Sequence, residues 1–410
     1  MKLFNRYAMS VAGLLCLFPV ITHAGGYMIP EQGAKAVGMG NAFTAVADDP
    51  SANWFNPAGL SFQKNGVMIG GDVVAPSNEY IDPVGNKTYS AKKSIFLVPH
   101  TYINYRADDS KLSFGFGINA PFGLSTDWAG SGAPFSQAGA GSKSITFSQI
   151  EAIHVNPNIA YRVSENLSLA AGIAYYNVMK VHLNSLALNI GGHGDGFGGN
   201  AALMYKNDGY SLGVSYRSSV KVDINGTAVG GSGVAVLGLN GIAGNATTSL
   251  EIPSILSVAG SYQWQDWLVS LQFDRVDWTS FNKIELNFAP SALNLATGTS
   301  QTIPENWRTT TTIRLGAEWR LDSSNAIRFG YVNDPTPTNS VDVSPRIPGN
   351  DRQLLTLGYG LKMADDITVD LAYAYVWLKD RNLTTASAPV YNGTYKSFVH
   401  LFSSSFIYRF

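Results

Sequence analysis

Residues 367–377 read Ile-Thr-Val-Asp-Leu-Ala-Tyr-Ala-Tyr-Val-Trp. Every odd position is large and apolar or aromatic, and the even positions are mostly small or polar. In an extended chain these two sets fall on opposite faces. The same period of two runs through Leu167–Asn184, where Leu167, Leu169, Ile173, Tyr175, Met179, Val181 and Leu183 oppose Ser168, Gly172, Lys180, His182 and Asn184. It recurs over 210–224, where Tyr210, Leu212, Val214, Tyr216, Val220, Val222 and Ile224 oppose a set containing Arg217, Lys221 and Asp223. Over 308–321 the apolar set includes Ile313, Leu315 and Trp319, and the other set holds Arg308, Arg314, Glu318 and Arg320. Such runs outlast the ~5–6 residues of an ordinary strand and reach the roughly 9–11 that cross a bilayer at a tilt. One apolar and one polar face per long strand predicts an all-β chain, a transmembrane antiparallel β-barrel with lipid outside and a polar lumen. A soluble sandwich or propeller would bury the apolar faces between sheets, but strands this long with such unequal loops fit it poorly.

Six connections read as short turns, among them 163–166, 207–209 and 265–266. Seven read as longer Gly-, Ser-, Asn- and Pro-rich loops, near 80–93, 120–147, 185–195, 226–248, 289–307, 334–350 and 380–395. Thirteen connections make about fourteen strands, with the short turns on the periplasmic side. Phe402, Phe406, Tyr408 and Phe410 share one face of the last strand, a pattern typical of outer-membrane barrels and read as an assembly signal.

Residues 1–24 read as a secretory signal: Lys2 and Arg6, an apolar stretch from Met9 to Val20, then Thr22-His23-Ala24 as a cleavage site. Cys16, the single cysteine, falls inside it, so the mature chain is expected to carry no disulfide and no thiolate metal site. Residues 25–63 do not alternate. They are rich in Gly and Ala, yet carry Tyr27, Met28, Ile29, Met39, Phe43, Trp54, Phe55 and Leu60, which need burial. The expectation is a plug, or hatch, folded into the lumen ahead of a barrel over 64–410.

A formal net charge of -1 leaves no excess of cations to neutralise phosphates, which sets nucleic acid aside as a partner. The six histidines do not pair at ligand spacings, so neither a metal nor a cofactor is expected. The run 194–199 nearly matches a dinucleotide-binding glycine motif, but no helix follows it. No Gly-x-Ser-x-Gly element is present, and a barrel hydrolase has only the fold in its favour. A general diffusion porin would lack the plug and use roughly sixteen strands.

Gly25-Gly26-Tyr27, Gly38-Met39-Gly40-Asn41-Ala42, Ala47-Asp48-Asp49-Pro50 and Asn56-Pro57-Ala58-Gly59-Leu60 resemble the N-terminal hatch of the FadL-type outer-membrane transporters. That family comprises long-chain fatty acid transporters and aromatic hydrocarbon importers. Smaller matches, such as Pro121-Phe122-Gly123-Leu124, Trp278-Thr279-Ser280-Phe281 and Asn333-Asp334-Pro335-Thr336-Pro337, run the whole mature length. The resemblance implies a monomeric, plugged, fourteen-stranded barrel in the outer membrane of a Gram-negative bacterium. Its partners would be a hydrophobic small molecule and the surrounding outer-membrane lipid.

It also implies a route: capture by the outer loops, an apolar pocket in the upper lumen, and a sideways exit beside a kinked third strand. That strand is placed at 113–119, with Gly115 and Gly117 where a kink costs least; the alternative is that they relieve crowding against the plug. Fatty-acid members meet the carboxylate with basic lumen residues. Lys180 and Arg308 occupy roughly equivalent positions, and Arg217 and Lys221 share their inward parity. Each could instead form a lumen ion pair, with Glu318 or Asp223. Val178 stands where the family has an arginine, which weakens the carboxylate reading. The leading expectation is passive uptake of long-chain fatty acids, with aromatic hydrocarbon import as the alternative.

Overall fold

The computed structural model describes residues 26–410. The expected signal, 1–24 with Cys16, lies outside the described residues.

Fourteen strands form a closed antiparallel barrel. They are β1 Gly66–Ile81, β2 Phe96–Tyr105, β3 in two pieces (Leu112–Asn119 and Gly123–Asp127), β4 Phe147–Arg162, β5 Leu167–Asn184 and β6 Leu188–Asn207. Strands β7 to β10 are each divided in two: Tyr210–Arg217 with Val220–Gly230, Ala243–Ile252 with Ser254–Trp264, Trp267–Asp277 with Lys283–Phe288, and Ser300–Pro304 with Thr310–Arg320. The last four are β11 Asn325–Asp334, β12 Arg352–Lys362, β13 Ile367–Leu378 and β14 Gly393–Arg409. Strand β14 closes the ring on β1, from Gly66 opposite Arg409 to Ile81 opposite Thr394. Among the described residues no helix is long and apolar enough to cross a membrane.

The outer face of the lower wall is a belt of exposed apolar side chains, among them Phe114, Ile159, Leu212, Phe273, Leu357 and Phe402. Water would be a poor solvent for it. Aromatic pairs mark its two edges. Trp267 and Trp319 stack at 5.4 Å near the short turns, and Tyr175 meets Phe197 at 4.8 Å towards the long loops.

The alternation does not hold its phase from one end of the barrel to the other. In β7 Ser211, Ser215 and Arg217 are buried, and then Val220, Val222 and Ile224 are. One extra residue at Ser218-Ser219 has moved the even set from outside to inside, because a shift of one residue flips every side chain beyond it. The same inversion separates Asn119 from Phe122 in β3, Val178 from Val181 in β5, Ile252 from Ser257 in β8 and Trp307 from Thr310 in β10. In β5 it is a bulge: Val178 faces Gly194 while Val181 faces Gly192. Below the inversion the inner face is largely polar. Above it, Val220, Val222, Leu250, Ile252, Trp278 and Trp307 line an apolar lumen, and ion pairs such as Lys221–Asp223 sit on the outside.

Residues 26–63 lie inside the barrel and are almost wholly buried. They form two short helices, α1 Ala34–Gly38 and α2 Ala52–Phe55, and a 3-10 helix Pro57–Phe62. Asn56 caps the last. Its Oδ1 accepts from the Ala58 N–H at 3.1 Å, while its Nδ2 donates to the carbonyls of Thr44 (2.8 Å) and of Leu203 in β6 (3.1 Å). Pro57 opens that helix, where its missing N–H costs nothing. Ala58 packs among Ala160, Ala170, Ala202 and Met204 of the wall. On the opposite side the backbone of Gly38-Met39-Gly40 runs directly against Gly316, Gly330 and Gly358; a Cβ on Gly38 would stand 2.9 Å from the Gly358 Cα. Buried ion pairs fix the same face. Lys35 meets Asp48 (2.8 Å) and Glu318 (3.3 Å), and Arg328 bridges Glu318 (2.7 Å) and Asp370 (2.6 Å).

Candidate functional site

Above the plug, a cavity of about 560 Å³ reaches from the upper lumen to the outer surface beside β3. Its inner wall includes Ile150, Val376, Leu401 and the plug residues Tyr27, Met28 and Glu31; its outer mouth includes Ile95, Leu97, Ile118 and Met179. The mouth exists because the ladder breaks there. Pairing of β2 with β3 stops at His100 opposite Asn119. Phe96 to Pro99 then pair only with β1. On its other side β3 leaves β4 at Asn119 opposite His154 and rejoins at Gly123 opposite Glu151, with three residues between against two. Pro99 and Pro121 stand on the two lips, and neither has an N–H to donate.

The start of the plug occupies the inner side of this break. The Ile29 N–H donates to the Pro121 carbonyl at 2.8 Å, the Gly123 N–H donates to the Tyr27 carbonyl at 3.1 Å, and Met28 bridges Phe122. Tyr27 fills an aromatic box made by Trp278, Phe281, Trp307 and Phe122, with ring centroids 4.9, 5.5, 5.7 and 5.9 Å away. Its hydroxyl donates to the Glu251 carbonyl oxygen at 2.5 Å. Burial, then the nearby Glu251 and Glu305 charges, raise that hydroxyl's pKa well above the usual phenol range, so it remains a donor.

The kink is not at the glycines. Gly115 and Gly117 lie in a stretch paired on both sides. A Cβ on Gly115 would collide with the Asn53 amide and Leu60 of the plug, and one on Gly117 would stand 2.9 Å from the Tyr102 ring. They relieve crowding. The break comes three residues later, at Ala120-Pro121-Phe122, where proline was the available sequence signal.

None of the four cations singled out from the sequence lines the cavity. The bulge at Met179 turns Lys180 outward, where it is half exposed and pairs with Glu151 at 3.1 Å. Lys221 lies beyond the inversion in β7, exposed and paired with Asp223 at 3.1 Å. Arg308 is exposed because its neighbour Trp307 takes the inward place; its guanidinium reaches the Thr336 carbonyl at 3.4 Å. Arg217 does point inward, but into the plug. It donates to the carbonyls of Asn53 (3.0 Å) and Trp54 (2.6 Å) and to the Asn156 amide oxygen (3.1 Å). The cation that lines the cavity is Arg352, whose Nε donates to Asp334. Its inward parity lies at the very start of β12, after a long loop, where no alternation precedes it to set the phase.

Asp72, His100 and Ser405 form a line on neighbouring strands, with His100 Nε2 3.1 Å from Ser405 Oγ and Nδ1 3.9 Å from Asp72. The line is sealed. All three are at least 98% buried, and Ser405 Oγ already accepts the Ala34 N–H at 2.9 Å.

Residues 15–410 match the family model described as outer membrane protein transport protein (OMPP1/FadL/TodX). The chain is 24% identical to the long-chain fatty acid transport protein of Salmonella typhi over 425 residues, covering 91% of this chain and 92% of that one. A Pseudomonas aeruginosa FadL homologue superposes with a TM-score of 0.78 at 20% identity, covering 94% of this chain and 100% of the homologue. The toluene transporter TbuX of Ralstonia pickettii does so with a TM-score of 0.69 at 19% identity, covering 92% and 98%. At such identities the two structures share the fold.

Proposed function

The chain belongs to the outer membrane protein transport family (OMPP1/FadL/TodX), and on that premise we propose that this outer-membrane barrel is a passive channel for hydrophobic compounds, released sideways into the bilayer. The observation that carries the reading is the continuity of the apolar cavity with the break between β2 and β3. An apolar solute gains ~0.8 kcal/mol per CH₂ on entering lipid, so a route that ends in the membrane wall runs downhill without an energy source. The plug blocks the alternative route along the axis with buried ion pairs and backbone-to-backbone contacts. One chain closes the barrel by itself, so a monomer suffices.

Long-chain fatty acids and aromatic hydrocarbons both suit the apolar walls, and they differ at the polar end. The fatty-acid reading loses its four sequence candidates for the carboxylate, and the cavity's own Arg352 is already engaged by Asp334. The test is photochemical. A photoreactive phenylalanine analogue at Leu97, on the outer mouth, should capture tritiated hydrophobic ligand during uptake by whole cells. The same analogue at Trp267, on the outer face far below, should not. Equal labelling at both positions would defeat the lateral route.

A further inference from the structure

Resting on the transport reading, we propose that the cavity selects uncharged apolar compounds whose polar end is a hydroxyl, and that Glu31 is the residue that selects them. Glu31 is 4% exposed and lines the cavity. Among the described residues its carboxylate has neither a hydrogen-bond nor an ion-pair partner, whereas the other buried plug carboxylate, Asp49, accepts from Ser51 through both its N–H and its hydroxyl. A buried carboxylate left without a partner is costly, and a ligand that donates to it would remove that cost.

The second polar group at this end is Arg352. Its Nε is committed to Asp334, and among the described residues its two terminal nitrogens make no hydrogen bond. Glu31 and Arg352 both line the cavity. Acceptor and donor therefore border the same space. A hydroxyl matches both, donating to Glu31 while accepting from Arg352. A carboxylate can only accept. It would meet Arg352 but also two acids, since Arg352, Asp334 and Glu31 together carry a formal charge of about -1, and like charges at close range in a low dielectric repel strongly. The remaining lining carboxylate, Glu151, is held by Lys180 at the outer mouth.

The experiment compares 1-dodecanol, dodecanoate and dodecane binding to the full barrel in nanodiscs at pH 8, with empty nanodiscs as the partition control. The wild type should bind dodecanol at least about tenfold more tightly than dodecanoate. Glu31→Gln keeps an acceptor and removes the charge, so dodecanoate should gain until the two differ by less than about threefold. Glu31→Leu removes the acceptor, so dodecanol should fall to the level of dodecane. Dodecane should not change in either variant. Dodecanoate binding the wild type as tightly as dodecanol, or an unchanged ratio in both variants, overturns the head-group assignment alone. Failure of all three ligands to bind overturns it together with the transport reading.

Discussion

The Arg217 guanidinium donates to the Trp54 carbonyl at 2.6 Å and lies 4.2 Å over the ring of the same residue. With its bond to the Asn53 carbonyl it closes the C-terminal end of α2, where helix carbonyls have no partner within the helix. The plug is thus held from β7 by one planar, multiply donating cation, a task to which a lysine ammonium is poorly shaped.

Replacing Arg217 by Met should leave a barrel that still migrates as a folded band without heating, but with a loosened plug. Hydrogen bonds from a charged donor contribute about 1.5–3 kcal/mol each, so amides of 51–60 should exchange faster by two orders of magnitude or more. Arg217→Lys should recover only part of this. Exchange equal to wild type in both variants would show that the clamp adds nothing.

Asp49 makes the plug sensitive to pH. Burial first, then the neighbouring Asp48 charge, push its carboxyl up to about 6, with Asp370 adding and Lys35 opposing. An acid whose folded value exceeds its unfolded one, 3.8, favours the fold in its protonated form. That contribution is complete below about 3.8 and disappears as pH rises through about 6, an effect on the order of 3 kcal/mol at most. Plug amides should therefore be better protected at pH 4.5 than at pH 7.5 once the intrinsic exchange rate is divided out. Asp49→Asn should flatten that difference. An Asn variant as pH-dependent as wild type would place the titration elsewhere.

Lys180, Lys221 and Arg308 all lie on the outer side of the wall, so replacing all three by Met should change uptake of a hydrophobic probe by less than about twofold. A larger loss would mean that one of them reaches the ligand on its way in. The same triple substitution made in a barrel with unbroken alternation would take three cations out of its lumen.

That contrast shows where sequence reading stopped. The fourteen strands and the lipid-facing belt follow from alternation, in runs such as 367–377 that keep their phase, and the plug follows from its absence over 25–63. The upper lumen could not. In 210–224 the apolar set is continuous in parity by eye, yet Tyr216 faces lipid and Val220 faces the lumen. A single inserted residue carries no compositional mark, since both faces of an upper strand remain half apolar. Parity alone therefore puts Lys180, Lys221 and Arg308, each above an inversion, on the wrong side, and puts Arg217, just below one, on the right side. The break in β3 did carry a mark, in Pro99 and Pro121, but two prolines on adjacent strands become meaningful only once the register places both just beyond the last pair, His100 with Asn119.

Tyr27 is a plug residue seated in a box of four aromatic rings. Cutting it to Ala removes four ring contacts and the bond to the Glu251 carbonyl. Loss of a buried aromatic costs roughly 3–5 kcal/mol, so 26–30 should become protease-sensitive while the ion-paired part of the plug stays protected. The emptied box should bind naphthalene at least about tenfold more tightly than wild type, read by quenching of Trp278 and Trp307. Unchanged naphthalene affinity would mean that the box closes when Tyr27 leaves.

The exit can be tested by repairing the wall. Between Asn119 and Gly123 β3 has three residues where β4 has two between His154 and Glu151. Deleting Ala120 equalises the count. It also keeps the facing correct, because Asn119 and Phe122 are both inward now and would be separated by one outward residue, Pro121. Replacing Pro121 by Val in the same chain returns an N–H to that position, so Phe122 and Gly123 can extend the ladder towards Val98 and Leu97. The plug's Tyr27–Ile29 stretch, which now bonds to Pro121 and Gly123, would be displaced from the lip. Uptake of a radiolabelled hydrophobic compound should fall at least about tenfold, while its binding to the purified barrel and the heat-modifiable band persist. Pro121→Val alone leaves the extra residue in place and should lose far less. Full uptake in the double variant, with the repaired register verified by a crystal structure, would mean that ligand leaves the barrel by another path.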